Sequence, residues 1–314
     1  MKVSQQPILG FFLALTAAIM WSILPIALQP VLTAMNAHTI VWFRFVVAMF
    51  GVFFILLFTK KLPKLTAFTA KYRWFVLLGV LGLAANFYLY NLSLKYIPAT
   101  TSQVLSPLSS FSMLLSGIFL FKERLGVHQK LGLSLLLIGL PLFFNDRFTD
   151  FAEMNSFSLG VFIGIGASLI WVCYGLAQKM MLQRFSSQQI LLAIYAGSAL
   201  VFTPFANASQ AQNLSPFTLG CLIFCCLNTI IAYGCYAEAL NRWEVAKVSM
   251  IMPQIPILTI LFSEIAYWLD PTHFAEPYLN TLSYIGAIFV VLGALSAAAG
   301  HKLFYRRQLR RNSV

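Results

Sequence analysis

Charge is what this sequence has least of. Asp, Glu, Lys and Arg make up 10% of its 314 residues, and only 9 of them are acidic. A soluble domain carries about 25% charged and about 45–50% apolar residues; here the apolar share is 60% and mean hydropathy is +0.81. No water-soluble fold of this size hides that much apolar surface, which excludes soluble enzymes, nucleic-acid binders and disordered chains. The apolar runs are long and unbroken, which excludes a β-barrel of short alternating strands. Catalytic signatures are missing too: there is no GxxxxGK[ST] loop to hold ATP, no HExxH helix and no GxSxG elbow. His38, His128, His273 and His301 are scattered, and no CxxC pair exists. Cys173, Cys221, Cys225, Cys226 and Cys235 fall inside apolar runs and read as small helix-packing residues. No metal site and no cofactor is expected.

What remains is an all-α integral membrane protein. A spanning helix needs roughly 20 apolar residues. Ten such segments are read: 8–28, 39–58, 74–92, 99–121, 131–144, 159–182, 190–205, 217–240, 245–269 and 282–303, the fifth and seventh being short. The first run is too long, and too poor in a cleavage motif, for a signal peptide. The +12 net charge reports topology rather than nucleic acid. With the N-terminus inside, 18 of the 21 Lys and Arg fall on the inner side, among them Lys60, Lys61, Lys122, Arg124, Arg242 and the tail after Lys302; only Lys95 and Arg147 fall outside, and Arg44 alone lies within a span. The expected location is the plasma membrane, the inner membrane of a bacterium, with both termini cytoplasmic.

The chain also repeats itself. At a shift of 150, Gly10, Ala14, Ala17, Ala18 and Trp21 land on Gly160, Gly164, Ala167, Ser168 and Trp171. Leu94 and Pro107 match Leu240 and Pro253 at a shift of 146, and Gly132 and Gly139 match Gly286 and Gly293 at 154. Three matches in one order indicate duplication, with residues 1–150 as a first five-helix repeat and 151–314 as a second that ends in a basic cytoplasmic tail. Five is odd, so the second copy crosses in the opposite sense. Such inverted repeats are a common architecture of secondary transporters.

The ordered set of motifs resembles the EamA-type members of the drug/metabolite transporter superfamily. It comprises Ala14-Leu-Thr-Ala-Ala-Ile-Met-Trp21, Trp42-Phe-Arg44-Phe, Leu105-Ser-Pro107-Leu and Phe121-Lys-Glu-Arg-Leu125 before Gly132 and Gly139, then Ala167-Ser-Leu-Ile-Trp171, Ala239-Leu240 and Met252-Pro253. The resemblance covers almost the whole chain and implies a ten-helix exporter or exchanger of small metabolites. Glu123 has no clean counterpart after the ninth span, so no role passes from it to Glu264.

Polar groups in hydrocarbon are costly and therefore informative. Arg44 is the deepest charge, and its planar guanidinium suits a carboxylate or phosphate; the alternative is that it ties helix ends together, and Ile194 stands at its place in the second copy. Glu238 sits four residues before Arg242, as a helical ion pair would. Glu264 is the candidate to carry a coupling proton, or it faces headgroups. Uncharged polar residues form inward stripes: Asn86 and Tyr90, Gln103, Trp171 and Tyr174, Tyr233 and Tyr236, and Gln254. Together with Trp21 and Arg44 they are the candidate substrate-binding set, and the competing reading is helix–helix hydrogen bonding. Pro107, Pro253 and Pro256 fall inside spans and bend them; Pro107 and Pro253, matched between copies, are candidate hinges or static bends, and no half-helix break is obvious.

The sequence therefore points to a secondary transporter, not an enzyme, that exports or exchanges a small metabolite by alternating access. The alternative is a membrane-embedded enzyme acting on a lipid-linked substrate. The partners implied are membrane lipid and a small-molecule substrate, with a homodimer left open and no nucleic acid.

Overall fold

The computed structural model describes residues 6–121 and 126–311. Among them every regular element is helical, with no strand. The helices are α1 (Pro7–Ala34), α2 (Ala37–Phe58), α3 (Ala70–Ser93), α4 (Ala99–Leu105), α5 (Pro107–Phe121), α6 (Val127–Phe143), α7 (Phe148–Ala152), α8 (Ser156–Met181), α9 (Ser187–Phe202), α10 (Pro216–Arg242), α11 (Val245–Ile251), α12 (Ile255–Leu269) and α13 (Thr281–Arg311). Lys122, Glu123 and Arg124 lie outside the described residues. Several starts are set by local chemistry. Ser215 accepts from the Thr218 N–H ahead of Pro216, Asn155 accepts from Phe157 and Ser158, and Ser186 and Gln189 cap each other reciprocally.

Eight helices among the described residues are long and apolar enough to cross a membrane. They expose large apolar side chains all along their outer faces, including Phe12, Phe54, Leu169, Leu200, Ile223 and Trp268. In water such a surface would aggregate; in lipid it is the expected coat. The ten-span expectation meets this fold in part. The fifth segment is α6, at 17 residues. The fourth is interrupted, and so is the ninth.

Those interruptions correct the expectation of unbroken spans. Pro107 has no N–H to return to Gln103. The Ser106 N–H takes the Gln103 carbonyl at 3.0 Å and the Ser109 N–H takes that of Ser106 at 3.1 Å, so the chain tightens and α4 ends where α5 begins. In the ninth segment Pro253 and Pro256 turn Met252–Gln254 into a 3-10 step between α11 and α12. Pro25 and Pro30, by contrast, are carried inside a continuous α1.

The core is built between helices that are distant in sequence. α1 packs on α10 and α3 on α8; α2 packs on α9 and α6 on α13. α2 also meets α10 as α3 meets α9, and α1 meets α12 as α8 meets α5. Lipid supplies no hydrophobic force between helices, so close approach of small residues has to hold them. The α6–α13 contact shows it most directly. A Cβ on Gly132 would stand 2.5 Å from the Gly293 carbonyl oxygen, and one on Gly139 2.9 Å from that of Gly286. In return, a Cβ on Gly293 would stand 2.7 Å from the Gly132 oxygen, and one on Gly286 would strike the Phe143 backbone nitrogen.

Gly286→Leu is therefore expected to force α6 and α13 apart and to cost about 1–3 kcal/mol. A control, Gly220→Ala, adds its methyl where nothing lies within 4 Å and is expected to stay within about 0.5 kcal/mol of the parent. Thermal unfolding of both variants in the same detergent checks the pair; equal melting would contradict the packing argument.

Candidate functional site

The site starts from a backbone defect. Pro25 removes the N–H that would have bonded the Trp21 carbonyl one turn earlier in α1. A bare carbonyl at membrane depth needs another donor, and Gln103 on α4 supplies it: its Nε2 donates to the Trp21 oxygen at 2.9 Å and to the Tyr90 hydroxyl at 3.2 Å. The break in the fourth segment is treated likewise, with the Ser168 hydroxyl donating to the Leu105 carbonyl at 3.3 Å. Near the other break the Thr259 hydroxyl donates to the Ser22 carbonyl at 3.0 Å, and the Ser22 hydroxyl, which donates to the Ala18 carbonyl of its own helix at 2.6 Å, lies 3.3 Å from that of Ile255. Polar side chains thus gather where the helices are irregular.

Aromatic rings form the wall beside them. Trp21 meets Tyr233 and Tyr236 with ring centroids 5.3 and 5.4 Å apart. Tyr233 in turn lies 6.5 Å from Tyr174, which lies 5.8 Å from Trp171. Five helices (α1, α3, α4, α8 and α10) therefore bring Trp21, Tyr90, Gln103, Trp171, Tyr174, Tyr233 and Tyr236 into one cluster.

Arg44 joins this cluster through residues the sequence did not single out. Its Nε donates to the Thr229 hydroxyl at 3.1 Å, and its guanidinium lies 4.4 Å from the Phe87 ring centroid. Phe87 in turn lies 6.3 Å from Tyr233. Tyr195 on α9, fully buried, closes the far side and donates to the Thr229 carbonyl at 3.4 Å. Thr229 follows Asn228, and Phe87 follows Asn86, so both sit one step from a polar residue that was legible. A hydroxyl at helical spacing from Tyr233 was the signal for Thr229; nothing in the sequence marked Phe87.

Other expected residues lie apart. Asn86 donates to the Ala167 carbonyl at 2.8 Å, which ties α3 to α8. Asn228 does the same between α10 and the Met20 carbonyl of α1. Gln254 is exposed and bonds Met250 at 3.1 Å. Glu264 accepts from the Tyr284 hydroxyl at 3.1 Å, away from the aromatic wall. Glu238 forms the expected pair with Arg242 at 2.6 Å, and Arg242 also reaches Gln6. Pro107 and Pro253 stand at the two breaks. Beyond the spans, hydrogen bonding from Thr272 and the neighbouring His273 hold the Asp270 carboxyl below the usual carboxylate range. No cluster of metal-binding side chains occurs among the described residues.

The described helices define a polytopic helical membrane protein with a polar and aromatic interior, and comparison with known sequences gives its class. The profile of the EamA-like transporter family matches residues 8–145 and 158–299. The chain belongs to that family. It is 55% identical over 301 residues to an uncharacterised transporter of Haemophilus influenzae, covering 96% of this chain and 98% of that protein. It is 42% identical to the inner membrane transporter YhbE of Escherichia coli, also uncharacterised, covering 96% and 95%. More distantly, it is 23% identical over 63% of its length to a probable amino-acid metabolite efflux pump of Escherichia coli, 66% of which is covered. A solved protein chain superimposes with a TM-score of 0.65 over 96% of this chain and 99% of its own length, at 20% identity, which shows the fold alone. The chain is thus an integral inner-membrane protein of a transporter family.

Gln103→Leu leaves the Trp21 carbonyl without a donor and the Tyr90 hydroxyl without its partner. The expected cost is about 1–2 kcal/mol, read as a lower melting temperature in detergent. Gln103→Glu, which loses the NH2 donor but keeps the shape, should melt low as well; a melt equal to the parent in both would detach Gln103 from this role.

Proposed function

We propose that this chain is a secondary transporter that exports or exchanges a small metabolite by alternating access between two inverted five-helix repeats. The observation that carries the reading is an exchange symmetry of contacts. Let α1 trade places with α8, α2 with α9, α3 with α10, α4 and α5 with α11 and α12, and α6 with α13. The α1–α10 contact then becomes α8–α3, the α1–α12 contact becomes α8–α5, and α2–α9 and α6–α13 map onto themselves. Residues follow the same rule. The Gly132–Gly293 approach maps onto Gly286–Gly139. Gly10 against Trp243 maps onto Gly160, whose Cβ would stand 2.6 Å from that of Tyr96. A self-complementary interface of this kind is what a two-fold axis produces, and the family profile fitting two successive segments agrees with it.

Two similar halves of opposite sense have two equivalent ways to close, one on each side of the membrane. The lopsided Lys and Arg distribution supports cytoplasmic termini. In that orientation the packing of α4 on α12 joins the halves on the outer side. Trp21, Arg44, Tyr90 and Gln103 come from one half, and Trp171, Tyr174, Tyr233 and Tyr236 from the other. A cargo among them touches both halves and senses their movement. The breaks at Pro107 and Pro253 are the hinges of this reading, and Glu264 its proton carrier. Membrane lipid is its solvent, and its relative's printed role in amino-acid metabolite efflux favours a small polar or amphipathic cargo.

Metabolite profiling of cells with and without the chain tests this first. A compound retained by deletion cells and released by expressing cells is expected, and the purified chain in proteoliposomes should exchange labelled against unlabelled compound. Identical metabolite pools, or a new compound formed in detergent, would overturn it. Glu264→Gln should flatten the pH response of that exchange; an unchanged response removes Glu264 as the proton carrier.

A further inference from the structure

Arg44 brings a full positive charge into the packed spans, with 2% of the residue exposed. An uncompensated ion in a low-dielectric interior is strongly unfavourable, and intramembrane charges accordingly face a partner or a hydrated cavity. Among the described residues no carboxylate is that partner. Glu238 is joined to Arg242, Glu244 to Lys247, and Glu264 receives Tyr284. The other described acids are Asp146, Asp150, Glu153, Asp270 and Glu276, all beyond the ends of the spans. Glu123 lies outside the described residues.

The surroundings of Arg44 suit an anion that is not part of the chain. Phe87 covers one face of the guanidinium plane and Thr229 takes the Nε–H. The four Nη–H donors meet no acceptor among the described residues and are not sealed from accessible space. The Tyr90 hydroxyl accepts from Gln103. The Tyr233 hydroxyl makes no hydrogen bond to a described residue. Arg44 and Tyr233 flank the same ring, Phe87, whose centroid lies 4.4 Å from the guanidinium and 6.3 Å from the Tyr233 ring. Phenols are uncharged near neutral pH, so they add donors without supplying the missing negative charge.

We propose that Arg44 is the carboxylate subsite of the transported metabolite, and that this metabolite is an amphipathic monocarboxylate. Its carboxylate takes the free Nη donors of Arg44 and the hydroxyl of Tyr233, and its apolar part lies on the Trp21 and Tyr236 rings. The guanidinium fork matches a carboxylate in two parallel hydrogen bonds. One buried cation neutralises one charge, so a dianionic phosphate would keep an uncompensated charge in the membrane. A bare inorganic ion would leave the aromatic wall unused. The inference rests on the transporter reading for its direction of use, while the binding itself is measurable without transport.

The test uses the purified full-length chain in detergent. Tryptophan fluorescence is titrated with 3-phenylpropionate, with its uncharged amide 3-phenylpropionamide, and with nitrate. The parent chain is expected to bind the carboxylate about ten- to a hundredfold more tightly than the amide, with nitrate weaker than the carboxylate. Arg44→Gln should erase that preference and Arg44→Lys keep part of it. Tyr233→Phe, which leaves the charge untouched, should lower it a few-fold and guards against Arg44 variants that fail to fold. Equal binding of acid and amide by the parent, no binding of the acid up to millimolar concentration, or a preference that survives Arg44→Gln would overturn the proposal. Nitrate binding as tightly as the carboxylate would also overturn it, in favour of an inorganic ion. Carboxylate preference without exchange in proteoliposomes would sink the transporter reading and leave the subsite standing.

Discussion

Backbone hydrogen bonding without water is the constraint on which the rest of this structure depends. In hydrocarbon, no solvent is at hand for an N–H or a C=O left over by a proline or a helix break. Two such groups here are answered from a neighbouring helix. The Trp21 carbonyl freed by Pro25 receives Gln103, and the Leu105 carbonyl at the α4–α5 break receives Ser168. Those donors can reach only because the helices approach closely, and they approach closely only where side chains are small. Ala14, Ala17 and Ala18 on α1 are fully buried, and glycines line the α6–α13 seam. Small residues and polar donors are two parts of one solution.

This constraint also decides where irregular backbone can stand. Both interrupted segments, α4–α5 and α11–α12, are packed against α1 or α8. A break facing lipid would expose unpaired groups; a break facing another helix is satisfied by it, and can be satisfied in more than one way. On the proposed mechanism this is how a bend becomes a hinge. The hydrogen bonds at the breaks run from side chains to carbonyls, and rotamers can remake such contacts more readily than a helical ladder can be remade.

The sequence carried the class of fold plainly, because hydropathy over long runs and the placement of Lys and Arg are additive signals. The four glycines 132, 139, 286 and 293 were legible as a match between copies, yet their meaning was not. A one-dimensional match cannot tell that Gly132 sits against Gly293 rather than against its own equivalent Gly286. The breaks were missed for a related reason. Pro25, Pro30 and Pro141 are inside helices and Pro107 is not, and the difference lies in the partners waiting in space. The aromatic half of the site was legible, since Trp21 and Trp171 sit too deep for an interfacial belt and match between copies, and Tyr233 and Tyr236 belong to a polar stripe. Asn86 reads identically as a cavity donor and as a strap, and only its 2.8 Å bond to Ala167 separates the two. Phe87 was invisible: an apolar residue among apolar residues gives no sign that a guanidinium rests on it.

Symmetry and asymmetry divide the work between them on this reading. The large contacts between the halves (α1–α10 with α3–α8, α2–α9, α6–α13) come in exchangeable pairs, while the α4–α12 contact has no counterpart of its size among the described residues and closes one side. The charge at the site is not duplicated either. At the position matching Arg44 the second copy has Ile194, fully buried and packed toward Gly79. A second arginine there would place two like charges in one low-dielectric space, where their repulsion is least screened. A single cation is the arrangement that a paired frame can tolerate and that a single anionic group can neutralise. On the proposed reading the apolar residue in one copy and the cation in the other follow from electrostatics: the frame is duplicated because alternating access needs two matched parts, and the charge is not because one monoanionic cargo carries one countercharge.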